Sequence, residues 1–150
     1  MTSANVNETI SASAELIRPN RLADMELVGY LRRWSMKKRS KLANQYLHNI
    51  LSADEPILHD HPWNFRSMIL TGGYIEVTPE AEFHRNAGDV YDKEATDLHY
   101  IRHVEPNTWT MIFTEKTIRN WGFMLDDKWV AHEDFPGRPL EAIFRNGYKE

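Results

Sequence analysis

From Leu22 to Trp34 the apolar residues Leu22, Met25, Val28, Leu31 and Trp34 recur every three positions, with mostly polar residues between them. That spacing is close to helical period and predicts one short amphipathic N-terminal helix. Residues 1–18 are Ser, Thr, Asn and Ala with few large apolar groups, so they bury little and are expected to be disordered. Order should begin near Arg18-Pro19-Asn20. Beyond residue 42 the pattern changes to short segments rich in β-branched and aromatic residues. Strands are expected near Gln45–Ser52, Ile57–His61, Phe65–Leu70, Tyr74–Thr78, Asp89–Tyr91, Leu98–Val104, Trp109–Thr114 and Trp121–Leu125. The turns between them read "SADEP", "TGG", "RNAG" and "EPN", which carry the residues that tight connections need. The pattern therefore predicts one mainly all-β domain over 19–150, an antiparallel sandwich or small jelly-roll barrel with the helix at its N-terminal end.

Composition narrows the chemistry. The chain has 150 residues and no cysteine, which excludes disulfides, thiolate nucleophiles and cysteine-ligated metal sites. Any metal must be held by His, Asp or Glu. A formal net charge of −4 argues against a general nucleic-acid binder. No apolar run approaches a membrane span, and the first twenty residues lack a basic start and apolar core, so a soluble, cytoplasmic protein is expected. Arg32, Arg33, Lys37, Lys38, Arg39 and Lys41 form a basic cluster, either a solvated helix end and loop or a patch for an anionic partner.

In "ILHDHPWNF", residues 57–65, His59 and His61 alternate with Asp60. On a strand the two imidazoles share one face and Asp60 takes the other, so the pair can chelate one ion. Alone, H-x-H is a weak signal. Its spacing to the surrounding glycines, and a later histidine behind a Gly-Asp turn in "NAGDVYDKEATDLHYI", add to it.

These residues resemble the cupin superfamily. Its first motif is a glycine, five residues, H-x-H, three or four residues, a glutamate, six residues and a glycine. Ala53 stands at the first glycine, His59 and His61 at the histidines, and Gly72 or Gly73 at the last position. In the second motif Gly88 and His99 match, whereas Glu94, Thr96 and His103 replace the expected Pro, Gly and Asn. The resemblance covers roughly residues 45–125 and is nearest to small single-domain cupins of unassigned reaction, more loosely to the cysteine-dioxygenase type. It implies a double-stranded β-helix barrel, a homodimer, and a metal centre. Phe65 and Arg66 occupy the positions where the motif places its glutamate, so the implied centre is His59, His61 and His99. Fe(II) is the preferred ion, and zinc, nickel and manganese accept the same ligands.

Four further residues are candidates for catalysis. Arg66 and Arg119 could each grip a substrate anion or make a structural ion pair or rim contact. Tyr74 is either a proton donor or a packed strand tyrosine. His103, by parity with His99 and Ile101, is a fourth ligand, an acid or base, or a core histidine. Glu76 is a lesser candidate for the missing ligand. The resulting expectation is a mononuclear non-haem iron dioxygenase or oxygenase acting on a small anionic molecule. Alternatives are a metal-dependent isomerase, epimerase or lyase, and a non-catalytic ligand-binding or sensory cupin.

Overall fold

The structure is a computed structural model in which residues 17–37, 43–137 and 140–149 are described. Within those residues the chain forms twelve strands: β1 (Met25–Leu27), β2 (Leu31–Ser35), β3 (Asn44–Ile50), β4 (Phe65–Thr71), β5 (Gly73–Val77), β6 (Glu82–Asn86), β7 (Val90–Lys93), β8 (Tyr100–Arg102), β9 (Thr108–Thr114), β10 (Gly122–Leu125), β11 (Lys128–Ala131) and β12 (Ala142–Phe144). Seven of them make one antiparallel sheet in the order β12-β1-β2-β3-β9-β4-β7. Strands β6-β5-β8 and the hairpin β10-β11 make two smaller sheets.

Residues 58–60 join those two small sheets into a second layer. His59 exchanges backbone hydrogen bonds with His99 at 3.0 Å in both directions, the Asp60 amide donates to the Gly122 carbonyl, and the Met124 amide donates to the Leu58 carbonyl. The result is a jelly-roll of two facing layers.

Alternation along the strands places the core. On β4, Phe65, Ser67, Ile69 and Thr71 are buried while Arg66 is exposed, a period-two pattern. With Tyr46 and Ile50 of β3, Ile112 of β9, Tyr74 of β5 and Tyr91 of β7, Phe65 and Ile69 fill the space between the layers. The other face of the large sheet carries a second apolar cluster, Ala23, Trp34, Leu47 and Trp109. At the β4–β5 turn Gly72 has a φ of +69°, and a Cβ there would lie 2.3 Å from Thr108 Oγ1. Only glycine lets this turn press against β9.

The helix expected over Leu22–Trp34 is not formed. Gly29 (φ +77°) sits in a turn in which the Tyr30 amide donates to the Leu27 carbonyl, and the chain folds back as the hairpin β1–β2. Of the five residues in the stripe, Met25, Leu31 and Trp34 are buried, but Leu22 and Val28 are 68% and 44% exposed. A stripe with two exposed members has no single apolar face to bury, and strand pairing prevails over propensity. The expected disorder of residues 1–18 lies outside the described residues except at Ile17 and Arg18. Lys38, Arg39 and Lys41 of the basic cluster also lie outside them. Of its other members, Arg32 pairs with Glu26, and Arg33 reaches inward to His48 and Tyr148.

Candidate metal centre

His59, His61 and His99 come together although 38 residues separate the last two. The bridge between His59 and His99 sets the two backbones side by side, and His61, whose amide donates to the Ala95 carbonyl at 3.0 Å, is brought to the same cluster. Their ligand atoms all lie within 4.8 Å of one another, the one such group of three His, Cys, Asp or Glu residues among the described residues. His99 is buried at 3% exposure, whereas His59 and His61 are half-buried, so the cluster is reached from their side.

Burial holds two of these rings neutral. It lowers His59 to about 4, although the Asp54 charge opposes the shift, and it lowers His61 well below the usual imidazole value, helped by the neighbouring His99 and His59. A neutral imidazole offers a lone pair, which is what a metal needs. Unfolded, His59 would titrate near 6.5. Between about 4 and 6.5 the unfolded chain therefore binds the extra proton, and folding stability falls as pH drops through that window. Metal-free protein should unfold at progressively lower urea concentration from pH 7 to pH 4.5, with a shallower decline in His59→Gln. An equally steep decline in that variant would remove His59 as a source.

Glu76, the lesser candidate, has a different place. It lies on β5 with no solvent exposure, its Oε2 2.6 Å from His99 Nδ1 and 3.1 Å from Lys93 Nζ, its Oε1 2.7 Å from an Arg85 nitrogen. Burial alone would raise this carboxyl, but the hydrogen bonds from His99 and Arg85 and the Lys93 charge bring it down to about 2. An ionised carboxylate only accepts, so His99 carries a proton on Nδ1, and in the neutral ring the Nε2 lone pair faces the cluster. His61 Nε2 is 3.3 Å from that atom. If His61 carries its proton on Nδ1, two lone pairs face each other; if on Nε2, the buried Nδ1 has no donor, since it makes no hydrogen bond. A cation between the Nε2 atoms relieves the first arrangement, so these residues fit a divalent ion. The carboxylate behind His99 is the partner that metal-ligating histidines commonly have.

Asp60 anchors the other side. It is 3% exposed and faces away from the cluster. Its Oδ1 accepts from the Gly122 amide at 2.8 Å, and its Oδ2 from Trp129 Nε1 at 2.9 Å and from Arg119 at 2.7 Å. Asp60 thereby pins the histidine segment to the β10–β11 hairpin. Both acids left a sequence signal: Glu76 is a charge on the inward parity of β5, shared with Tyr74, and Asp60 lies between the two histidines.

The remaining candidates stand apart from the triad's open face. Arg66 points outward and pairs with Asp92 directly across the β4–β7 ladder, both side chains more than half exposed. Phe65, its neighbour, takes the inward position instead, with its ring 4.7 Å from His61 and 6.2 Å from His99. Tyr74 is in the core, its hydroxyl 2.5 Å from that of Tyr91, and burial pushes it up to about 12. His103 is exposed: β8 ends at Arg102, and a φ of +50° at His103 breaks the parity expected to turn it inward. Arg119 is engaged by Asp60 and donates to the His61 carbonyl at 3.2 Å, so it touches the site through the backbone. Two surface clefts, one between Arg18, Arg32 and Trp109, the other between Arg21, Lys37 and Tyr148, include none of the three histidines.

No protein-family profile matches the sequence, and no curated protein does. Solved structures do match. KdgF from Halomonas superposes with a TM-score of 0.53 at 10% identity, covering 62% of this chain and 86% of that one. A Streptomyces PAC13 variant with uridine gives 0.54 at 5% identity, covering 80% of this chain and all of the other. A cupin superfamily protein from Desulfitobacterium hafniense gives 0.50 at 14% identity, covering 70% and 87%. A double-stranded β-helix protein from Klebsiella pneumoniae gives 0.51 at 13% identity, covering 76% and 92%. No helix among the described residues is long and apolar enough to cross a membrane. With its two facing antiparallel layers, the chain shares the double-stranded β-helix fold of these solved structures, one of which is a cupin superfamily protein.

Proposed function

We propose that the protein is a metal-dependent enzyme of the three-histidine cupin type, with Fe(II) as the preferred ion and a dioxygenase or related oxygenase reaction on a small anionic substrate. The observation that carries this reading is the convergence of His59, His61 and His99 within 4.8 Å, with Phe65 packed on His61 where the cupin motif has its glutamate, and with the nearby Glu76 engaged by His99 Nδ1, Arg85 and Lys93. Three neutral imidazoles would leave an ion's charge uncancelled and positions free for an anion and for O2, which is the chemistry such a centre supplies. The chain's own part is to hold that arrangement. Glu76 keeps the proton on His99 Nδ1, Asp60 and Arg119 fix the His59–His61 segment, and the surrounding rings keep the site poor in water, which strengthens its electrostatics. Since Arg66 and Arg119 are both paired with acids, the substrate charge is met in this reading by the ion itself.

The test is oxygen uptake by anaerobically purified, iron-loaded protein across a panel of small carboxylates and thiols. Uptake with at least one compound, absent in His59→Ala, is the expected result. Turnover without O2 and with zinc would replace this reading by an isomerase or lyase. A protein that takes zinc alone and never consumes oxygen contradicts it, and a partner still bound after loss of His59 and His99 would point to a sensory role.

A further inference from the structure

Four partly exposed aromatic rings stand around the histidines. Trp63 lies over His61 with centroids 5.6 Å apart and planes 25° apart, and meets Phe65 edge-on at 5.5 Å. On the other side Trp121 and Phe123 flank His59 at 6.5 and 6.0 Å, and Phe135 packs on Phe123 at 4.3 Å. Trp121 is held from behind by His132, stacked at 4.6 Å with planes 6° apart. The cations nearby are each committed to an acid: Lys93 and Arg85 to Glu76, Arg119 to Asp60. Asp54 is committed as well, accepting from the Tyr30 hydroxyl and the Ile101 amide.

A site with aromatic walls and no uncommitted cationic side chain among these neighbours selects for something other than a polar acid. We propose that its ligand is a chelating acid with a flat apolar body, the donor head meeting the histidine-bound ion and the body lying against Trp63 and Trp121. This rests on the metal-centre reading. Sequestering a phenyl-sized body from water against rigid rings is worth about tenfold or more in affinity over a methyl group.

Mandelate and lactate carry the same α-hydroxy acid head and differ by phenyl against methyl, so they isolate the body. Their affinities are read by calorimetry on zinc-loaded protein, with ion content per chain measured in the same samples. Mandelate should bind about tenfold or more tightly than lactate. Trp63→Ala and Trp121→Ala should each cut that preference severalfold, read as the ratio of the mandelate and lactate affinities in samples that hold the ion. Trp63→Leu, which keeps an apolar side chain, should retain part of it. Protein that holds the ion but binds both acids alike, binds neither, or keeps its preference in both alanine variants overturns this inference and leaves the metal reading standing. Protein that holds no ion overturns both.

Discussion

Glu76→Ala is expected to lower the unfolding free energy by about 3–5 kcal/mol and to weaken divalent-metal binding about 10–100-fold. The stability loss follows from what the side chain leaves behind. Arg85 and Lys93, only 19% and 11% exposed, would lose their common acceptor, and a buried cation without a partner is far more costly than a buried pair is favourable. The affinity loss has a separate origin, because without the carboxylate nothing fixes the His99 proton on Nδ1 or the direction of its ring. Glu76→Gln separates the two effects: its amide oxygen still accepts from His99, but its charge is gone. Urea unfolding and competition with a chelator read the two quantities. Unchanged metal affinity in Glu76→Ala would make Glu76 a structural anchor only. The carboxyl is also the site's acid limit. Held at about 2 against an ordinary 4.5, it contributes stability fully above 4.5 and loses it as pH falls towards 2.

Asp60→Ala is expected to cost about 3 kcal/mol, the lower end for a broken buried ion pair because Arg119 keeps 28% exposure and can recover water. Three donors lose their acceptor together, the Gly122 amide, the Trp129 indole and the Arg119 guanidinium. The hairpin β10–β11 would loosen from the segment carrying His59 and His61, so metal affinity should fall as well. Asp60→Asn, which retains an acceptor oxygen, should recover part of both. A change below about 0.5 kcal/mol, typical of an ordinary surface position, would contradict the anchoring role.

The three histidines and most of the strands were legible because period-two alternation survives in a half-buried sheet, and because the motif spacing joined His99 to a pair far away in the chain. What failed were features decided by neighbours. The stripe from Leu22 to Trp34 has helical spacing, and only the turn at Gly29 and the pairing of β1 with β2 show it to be a hairpin. Strands β6, β11 and β12 are short and largely exposed, so no apolar alternation marks them. Parity required that only one of Phe65 and Arg66 face the histidines, but which one depended on register against β7, where Asp92 meets Arg66. His103 followed the parity of His99 only while the strand lasted. Glu76 was visible as an acid on an inward position, yet its role needed the distance to His99 Nδ1.

His59, His61 and His99 are expected to hold one divalent ion through three imidazole nitrogens. X-ray absorption on protein titrated anaerobically with Fe(II) tests it most directly. The expected result is one ion per chain, three imidazole nitrogens in its shell with the other positions taken by water or buffer, and loss of the bound ion in His99→Ala. An ion retained in His99→Ala, or a shell without histidine, would contradict it.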